Sequence, residues 1–271
     1  MCELLAMSTE YPTNLTLSLR TLAEHSSSGG HVDGWGIAYY EGKDIRRIRD
    51  TAPAHESPWI SHVADHGLTS DLVIAHIRKA TVGTVALENT QPFQRELGGH
   101  IHAFAHNGDL HGALESDRYR SRYFRSVGTT DSEVVFCYLL EKLRDAWLGN
   151  APPGFETRWQ IFQETCAEFR AMGPANFFYS DGEYLYVHGN RRTQEDGVLR
   201  PPGLHWLCRK CTLARDAELS GEALCVTTTR LEVEIQRVVL VASVPLTDEP
   251  WEAMAEGEML ALRAGEIVAR A

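Results

Sequence analysis

The chain has few basic residues for its number of acidic ones. Its 271 residues include 26 lysines and arginines against 37 aspartates and glutamates, which gives a formal net charge of −11 at pH 7. A protein that binds nucleic acid needs a basic face toward the phosphates, and docking on anionic lipid needs basic clusters. The composition therefore predicts no nucleic-acid partner and no membrane partner.

Long apolar runs are also absent. No stretch approaches the roughly 20 apolar residues of a membrane-spanning helix. Residues 1–8 contain no basic segment and no long apolar run, so they do not resemble a signal peptide. We therefore expect a cytoplasmic protein, in which the six cysteines are reduced thiols rather than a disulfide framework.

Little in the sequence would hold a metal or a cofactor. Cys208 and Cys211 have the spacing of half a zinc site, with His205 and Cys225 nearby, but a structural zinc site needs four ligands of suitable geometry. The twelve histidines show no His-Glu-x-x-His pattern, and glycine-rich phosphate loops are absent. We expect no metal and no cofactor, and the role of Cys208 and Cys211 stays open.

The apolar pattern predicts strands, then helices, then strands. Strands are predicted at 2–7, 34–40, 45–48, 72–77, 101–106, 177–179, 184–187, 224–229, 233–244 and 259–268. Helices are predicted at 14–26, 130–147 and 156–172. This order is typical of a layered α+β protein whose sheets are covered by helices. The break at 152–154 is not expected to separate independent domains, so we predict one domain over residues 2–271.

Cys2 can carry a nucleophile and its base on one residue. Met1 is followed by a small residue, so we expect its removal, which leaves Cys2 with a thiol and a free α-amine. The amine has a reference pKa of about 7.7–8.0 and the thiol one of about 8.5, so the unprotonated amine can take the thiol proton near neutral pH. The alternative is an inert cysteine in an edge strand, and Cys2 alone does not decide between the two.

Two predicted strands end in polar groups that suit binding or catalysis. Arg78 follows the strand 72–77 and can bind a carboxylate through two parallel hydrogen bonds. Asn107 and Gly108 follow the strand 101–106, where an amide side chain and a backbone N–H can stabilise a developing oxyanion. The alternatives are a surface arginine in a salt bridge and an ordinary Asn-Gly hairpin.

Asp131 lies in the first turn of a predicted helix, where its carboxylate can hold a substrate ammonium group. The alternative is that it only complements the helix dipole. Together, a nucleophile, a carboxylate clamp, an oxyanion hole and an ammonium clamp describe a site for an α-amino acid that is attacked at its side-chain carbonyl. Glutamine is the obvious substrate of this kind.

These motifs, in this order, resemble those of the class II glutamine amidotransferases, most of all their small stand-alone bacterial branch. The resemblance rests on the Met-Cys start and on the runs 33–36 (DGWG), 76–81 (HIRKAT), 89–93 (NTQPF), 106–108 (HNG) and 130–133 (TDSE). It spans residues 2 to about 147. It implies a single amidotransferase domain with a four-layer αββα sandwich, two antiparallel sheets between helical layers, as in N-terminal-nucleophile hydrolases.

The resemblance also implies an activity and the roles of individual residues. The activity is hydrolysis of a γ-glutamyl amide, of glutamine or a γ-glutamyl compound, through a glutamyl thioester. The implied roles are Cys2 as nucleophile and base, Asn107 and Gly108 as the oxyanion hole, Arg78 and Asp131 as clamps for the α-carboxylate and α-amino groups, Thr81 and Val82 as pocket lining, and Asp33, Gly34 and Trp35 as support beside the nucleophile.

Several features leave the substrate open. Lys79 stands where relatives that feed ammonia to a synthase often carry an aromatic residue, and Gln91 stands where many relatives have histidine. No phosphate loop or nucleotide signature follows residue 147, so we expect an enzyme that does not pass ammonia to an attached partner. Four arginines either contact an anionic leaving portion of the substrate or form a solvated basic loop: Arg118, Arg120, Arg122 and Arg125.

Other functions and assemblies also stay open at this point. The alternative functions are an N-terminal-nucleophile peptidase or acylase and a non-catalytic partner subunit. A homo-oligomer is equally compatible with the sequence.

Overall fold

Two antiparallel sheets form the centre of the protein in the computed structural model. The structure describes residues 2–14, 30–66, 69–149, 151–212, 219–221, 224–228 and 235–271. Within those residues one sheet has nine strands, a second sheet has six, and a separate ribbon has two. The strands are numbered β1 to β17 in chain order.

Each sheet combines segments that are far apart in the sequence. The first sheet contains β1 (Glu3–Asn14), β2 (Trp35–Glu41), β3 (Asp44–Asp50), β4 (Thr69–Ile77), β11 (His205–Thr212), β12 (Leu219–Gly221), β13 (Leu224–Thr228), β14 (Ile235–Ala242) and β15 (Glu252–Ala253). The second contains β5 (Phe93–Leu97), β6 (His100–Gly108), β7 (Ala175–Ser180), β8 (Leu185–His188), β16 (Met259–Arg263) and β17 (Glu266–Arg270). The ribbon pairs β9 (Arg192–Thr193) with β10 (Leu199–Arg200).

The strand order places β1 inside the first sheet. That sheet runs β15-β11-β14-β1-β4-β2-β3, and β13 pairs with both β1 and β12. The second sheet runs β17-β16-β8-β7-β6-β5. The amino-terminal strand is therefore held by antiparallel neighbours on both sides, β14 and β4, rather than lying at an edge.

Three α-helices among the described residues cover the outer faces of the sheets. They are α1 (Pro58–His66), α2 (Asp131–Trp147) and α3 (Phe155–Met172). Val63 of α1 packs in the core on the outer face of the first sheet. Phe136 of α2 and Phe162 of α3 pack in the core on the outer face of the second sheet. Within the described chain, no helix is long and apolar enough to cross a membrane.

A third apolar core lies between the two sheets. Leu4 and Ile74 enter it from the first sheet, and Ala105 and Phe178 enter it from the second. Period-two alternation along each strand separates these residues from those that face the helices. The layers are therefore helix, sheet, sheet and helix, which confirms the predicted α+β fold with an αββα sandwich.

Most predicted elements are present, with local differences. The helix predicted at 130–147 begins at Asp131, and its N-cap Thr130 accepts a hydrogen bond at Oγ1 from the backbone N–H of Glu133 (3.3 Å). The strand predicted at 259–268 is instead the hairpin of β16 and β17, because Ala264 and Gly265 have positive φ angles of 49° and 73°. Six strands have no counterpart in the prediction: β5, β9, β10, β11, β12 and β15.

Two local predictions meet a continuing strand. The helix predicted at 14–26 is wrong at its first position, because β1 continues to Asn14, and the rest of that segment lies outside the described residues. Asn107 and Gly108 do not form a hairpin turn, because β6 continues through them and pairs them with Asn176 and Ala175 of β7. Glycine is needed at 108 for a packing reason: a Cβ there would lie 1.8 Å from the carbonyl oxygen of Pro174.

Candidate active site

Strand parity directs the predicted catalytic residues into one end of the sandwich. Leu4 of β1 faces the core between the sheets and pairs with His76 of β4. Two steps back along β1 and two steps forward along β4, the same register sets Cys2 opposite Arg78. In the facing sheet, Ala105 points into this core, so Asn107 shares its orientation.

A narrow cleft with a cavity volume of about 20 Å³, open to solvent, lies at this end of the sandwich. Six of its lining residues are those predicted to be catalytic or substrate-binding: Cys2, Arg78, Thr81, Val82, Gly108 and Asp131. The other lining residues are Lys79, Ala80, Gln91, His106, Thr130 and Ser132. Residues from four separate segments of the sequence thus meet around one thiol.

The thiol of Cys2 is held at the cleft by the backbone of Lys79. Its Sγ accepts a hydrogen bond from the N–H of Lys79 (3.3 Å) and lies 3.4 Å from the Lys79 carbonyl oxygen. Burial raises the pKa of the Cys2 thiol above its ordinary value, while the Lys79 N–H and the charge of Arg78 act in the opposite direction. The raised pKa favours the protonated thiol, so Cys2 would need a base in order to act as a nucleophile.

Asn107 is buried against Cys2 rather than exposed in the cleft. Its side-chain Nδ2 donates a hydrogen bond to the carbonyl oxygen of Cys2 (2.6 Å). An amide nitrogen has two N–H donors, so one donor remains beyond the bond to Cys2. Asn176 on β7 donates to the Asn107 carbonyl oxygen (3.1 Å) and so supports this strand position.

Arg78 is buried and organises the loop that follows it. Its guanidinium donates to the carbonyl oxygens of Val82 (3.0 Å), Gly83 (3.2 Å) and Thr84 (3.0 Å). Arginine has five N–H donors, so these three bonds do not exhaust it. The loop wall formed by Thr81 and Val82 therefore depends on the same side chain that is predicted to bind the substrate carboxylate.

Asp131 is buried at the start of α2 and oriented by several donors. Its Oδ2 accepts from the N–H of Leu110 (2.8 Å), and its Oδ1 accepts from the N–H of Ser132 (2.7 Å) and from the Ser132 hydroxyl (3.2 Å). The Ser132 hydroxyl also lies 2.9 Å from Nδ1 of His106. Burial lowers the pKa of His106, while the charge of Asp131 raises it. The carboxylate is thus fixed in direction, and no described Lys or Arg forms an ion pair with it.

The predicted supporting residues lie behind the cleft. Asp33 accepts a hydrogen bond at Oδ2 from the N–H of Ala80 (2.8 Å), which ties it to the cleft wall. Gly34 has a φ of 113°, and a Cβ there would lie 2.7 Å from a backbone oxygen of β3. Trp35 is buried in the outer core of the first sheet and is not among the residues that line the cleft.

Two amide side chains that the sequence did not single out for a role hold the cleft together. Gln91 accepts from the N–H of His106 at Oε1 (2.6 Å) and donates to the His106 carbonyl oxygen through Nε2 (3.2 Å). Asn89 donates to Thr84 O (3.0 Å) and accepts from the N–H of Thr129 (2.8 Å), which joins the loop after Arg78 to the loop before α2. The only feature of the sequence that pointed to these two residues was that both belong to the 89–93 motif.

The structure describes only some of the candidate zinc residues. No group of three or more His, Cys, Asp or Glu that could hold a metal ion occurs among the described residues. Cys208 lies exposed on β11. The side chains of Cys211 and Cys225 lie outside the described set.

Comparison with known proteins gives one consistent result. The family model described as "Glutamine amidotransferases class-II" matches residues 1–271. YafJ of Escherichia coli strain K12, whose name assigns it to the glutamine amidotransferases, is 37% identical over 99% of this chain and 100% of its own length. A crystal structure of a predicted glutamine amidotransferase from Pseudomonas aeruginosa is 34% identical, covers 98% of this chain and 99% of its own, and has a TM-score of 0.69.

A more distant structure shares the fold. The glutamine phosphoribosylpyrophosphate amidotransferase of B. subtilis has a TM-score of 0.61 at 16% identity. The match covers 99% of this chain and 48% of that enzyme. At this identity the likeness concerns the sandwich alone.

Proposed function

The chain belongs to the class II glutamine amidotransferases, and we propose from this that it hydrolyses a γ-glutamyl amide with Cys2 as its nucleophile. The observation that carries the proposal is the meeting of the Cys2 thiol, Arg78 and Asp131 around one cleft. A cation and an anion that line the same cleft as a thiol match the two charged ends of an α-amino acid. The substrate is glutamine or another compound with a γ-glutamyl amide.

The base in this proposal is the α-amine of Cys2. Removal of Met1 frees that amine, which then takes the thiol proton directly or through one water. The sulfur attacks the amide carbonyl carbon, and the resulting oxyanion collapses as the C–N bond breaks. The leaving amine takes the proton from the α-ammonium group, which leaves a glutamyl thioester on Cys2. Water then attacks the thioester and releases glutamate.

Substrate binding is assigned to residues on opposite walls of the cleft. The N–H donors of Arg78 that do not bond to the 82–84 loop would hold the α-carboxylate. The oriented carboxylate of Asp131 would hold the α-ammonium group. The backbone at Thr81 and Val82 would contact the aliphatic part between them.

The oxyanion is assigned to Asn107 and Gly108. The Asn107 amide already bonds to the Cys2 carbonyl, so it is held within reach of the atom that attacks. Its second N–H and the backbone N–H of Gly108 would stabilise the charge that develops on the substrate oxygen. Preorganised donors of this kind cost no rearrangement during the reaction.

We also infer that residues 2–271 act as one domain in the cytoplasm. The single-domain inference is supported by the mixing of both ends of the chain in the two sheets, since β1 pairs with β14 and the β16–β17 hairpin joins β8. The compartment is supported by the described cysteines Cys2, Cys137, Cys166 and Cys208, all of which are free thiols.

The proposed function is tested with a panel of γ-glutamyl amides, including glutamine, by measuring glutamate release. We expect turnover by the wild-type protein alone and none by Cys2→Ala, with the same thermal unfolding for both. Cys208→Ala is the matched control, because it removes an exposed thiol remote from the cleft, and it should retain wild-type rates. Glutamate release by Cys2→Ala, or a strict need for an added synthase, would overturn the proposal.

A further inference from the structure

A second open space lies beside the Cys2 cleft, between α2 and the segment 114–126. It has a cavity volume of about 550 Å³, against about 20 Å³ for the cleft itself. Val134 and Cys137 form its floor on α2, while Thr130, Asp131 and Ser132 at the start of the same helix line the cleft. A helix rises about 1.5 Å per residue, so Val134 lies about 5 Å along the axis from Asp131. The cleft and this groove are therefore neighbours along the first two turns of α2.

The groove is basic in a protein that carries a net charge of −11. Its described lining includes Arg120 and Arg125 and contains no acidic residue. Leu114, Phe124 and Val134 add an apolar surface, and serine and tyrosine hydroxyls are also present. The charge of Arg120 is only partly met by Asp117, since that ion pair (3.0 Å) is exposed on both sides.

The backbone of the groove wall is fixed to α2. Arg95 donates to the carbonyl oxygen of Arg125 (3.1 Å) and forms an ion pair with Glu133 in the first turn of α2. Glu133 also accepts from the N–H groups of Val127 (3.0 Å) and Gly128 (2.7 Å). These bonds hold Arg125 beside the helix, while its side chain remains exposed to the groove.

Of the four arginines noted in this segment, two line the groove. Arg118 turns away and pairs with Glu168 on α3 (2.9 Å), and Arg122 is not among the lining residues. The structure therefore distinguishes Arg120 and Arg125 from neighbours of the same type. In the proposed function the γ-glutamyl group binds at the cleft, beside Arg78 and Asp131, so the larger basic space next to it is available to the other half of the substrate.

We propose that this groove binds the leaving portion of the γ-glutamyl substrate, and that this portion is anionic, with Arg120 and Arg125 recognising its negative group. The inference rests on the proposed function, and it narrows the substrate from γ-glutamyl amides in general to those whose amine side carries a carboxylate or a similar anion. The apolar floor accommodates the carbon skeleton next to that group.

The test compares γ-glutamylglycine with γ-glutamylglycinamide, which differ only by a carboxylate against a neutral amide. The two leaving amines also differ in basicity, so the absolute rates cannot be compared directly. The quantity compared is the kcat/KM for γ-glutamylglycine divided by that for γ-glutamylglycinamide, in each variant and in the wild type. Exposed ion pairs are worth a fraction of a kcal/mol each, so we expect the ratio to fall about fivefold in the double variant Arg120→Gln, Arg125→Gln. Arg125→Glu should lower it further, because it places a like charge against the carboxylate.

Arg118→Gln is the matched control. It removes the same charge from the same segment outside the groove, and it should keep the wild-type ratio. An unchanged ratio in the double variant, or an equal fall in Arg118→Gln, would overturn the groove assignment.

Binding to the Cys2→Ala protein, measured by calorimetry with the same two compounds, separates this inference from the proposed function. If binding favours the carboxylate compound in a way that depends on Arg120 and Arg125, but the wild type hydrolyses neither compound, the groove assignment stands and the proposed hydrolysis is rejected. If the wild type hydrolyses glutamine and neither arginine affects the ratio of kcat/KM values, the proposed hydrolysis stands and the groove assignment is rejected. Neither binding nor hydrolysis would reject both.

Discussion

The amide of Asn107 has one observed contact and one proposed role, and substitution can separate them. It holds the carbonyl of Cys2 through a 2.6 Å hydrogen bond, and its second N–H is proposed to stabilise the oxyanion. Asn107→Ala removes both donors. Loss of one oxyanion donor typically lowers kcat by about 10²–10³, which corresponds to roughly 2.7–4 kcal/mol of transition-state stabilisation.

Loss of the hydrogen bond from Asn107 to the Cys2 carbonyl should also lower the free energy of unfolding. The Asn107 side chain is 1% exposed, so its removal leaves the Cys2 carbonyl without this partner in a buried site. An unsatisfied buried acceptor costs about 1–3 kcal/mol of the free energy of unfolding. We therefore expect Asn107→Ala to unfold at lower urea concentration and, separately, to turn over at about 1% of the wild-type rate or less with little change in KM.

Three measurements distinguish the two roles. Steady-state kinetics on glutamine report kcat and KM, urea unfolding reports stability, and the rate of Cys2 alkylation by iodoacetamide reports whether the thiol is still placed and exposed as before. Asn176→Ala is the matched control, because this buried asparagine pairs with Asn107 on β7 but does not touch Cys2. A pure KM effect in Asn107→Ala, or a kcat loss matched by Asn176→Ala, would refute the oxyanion assignment.

Three further predictions concern binding, packing and pH. Arg78→Ala and Asp131→Ala should each raise KM for glutamine about 10- to 100-fold, because a hydrogen bond to a charged group is lost, and wild-type kinetics would reject the clamp. Gly108→Ala should lower the urea midpoint, since its Cβ would lie 1.8 Å from the Pro174 oxygen, and unchanged stability would contradict the close packing of β6. Burial lowers the pKa of His102 to about 3, so the folded state binds fewer protons than the unfolded state below pH 6.5. The contribution of neutral His102 to the free energy of unfolding is therefore complete above about pH 6.5 and falls by about 1.4 kcal/mol per pH unit as the pH drops toward 3. Urea unfolding of the wild type and of His102→Gln between pH 7 and 5 can check this.

The residues around the thiol were predictable because each stands at the end of a recognisable element. Cys2 precedes β1, Arg78 follows β4, and Asp131 opens α2, so strand alternation and helix capping suffice to orient them. The layered fold was predictable because the compact apolar runs at 72–77 and 101–106 mark buried strands, and the 3.6-residue apolar period at 130–147 marks a helix that covers a sheet.

The supporting network was not predictable, because its bonds join residues that are distant in the sequence. Gln91 bonds across 15 positions to His106, and His106 reaches Ser132 across 26. The Asn-Gly pair at 107–108 carries a strong local turn signal, but pairing with β7 decides its conformation. Strand β11 has a mixed polar pattern, and its register is set by pairing with β14 rather than by its own composition.

Labelling tests whether Cys2, with a free α-amine, is the nucleophile for a γ-glutamyl carbonyl. Active protein is treated with a glutamine-like diazo-ketone, and the modified residue is identified by peptide mass spectrometry. We expect one adduct, on the sulfur of Cys2, at the amino terminus of a chain that lacks Met1, with activity lost in proportion to labelling. An adduct on Cys137 or Cys208, or fully active protein that retains Met1, would contradict it.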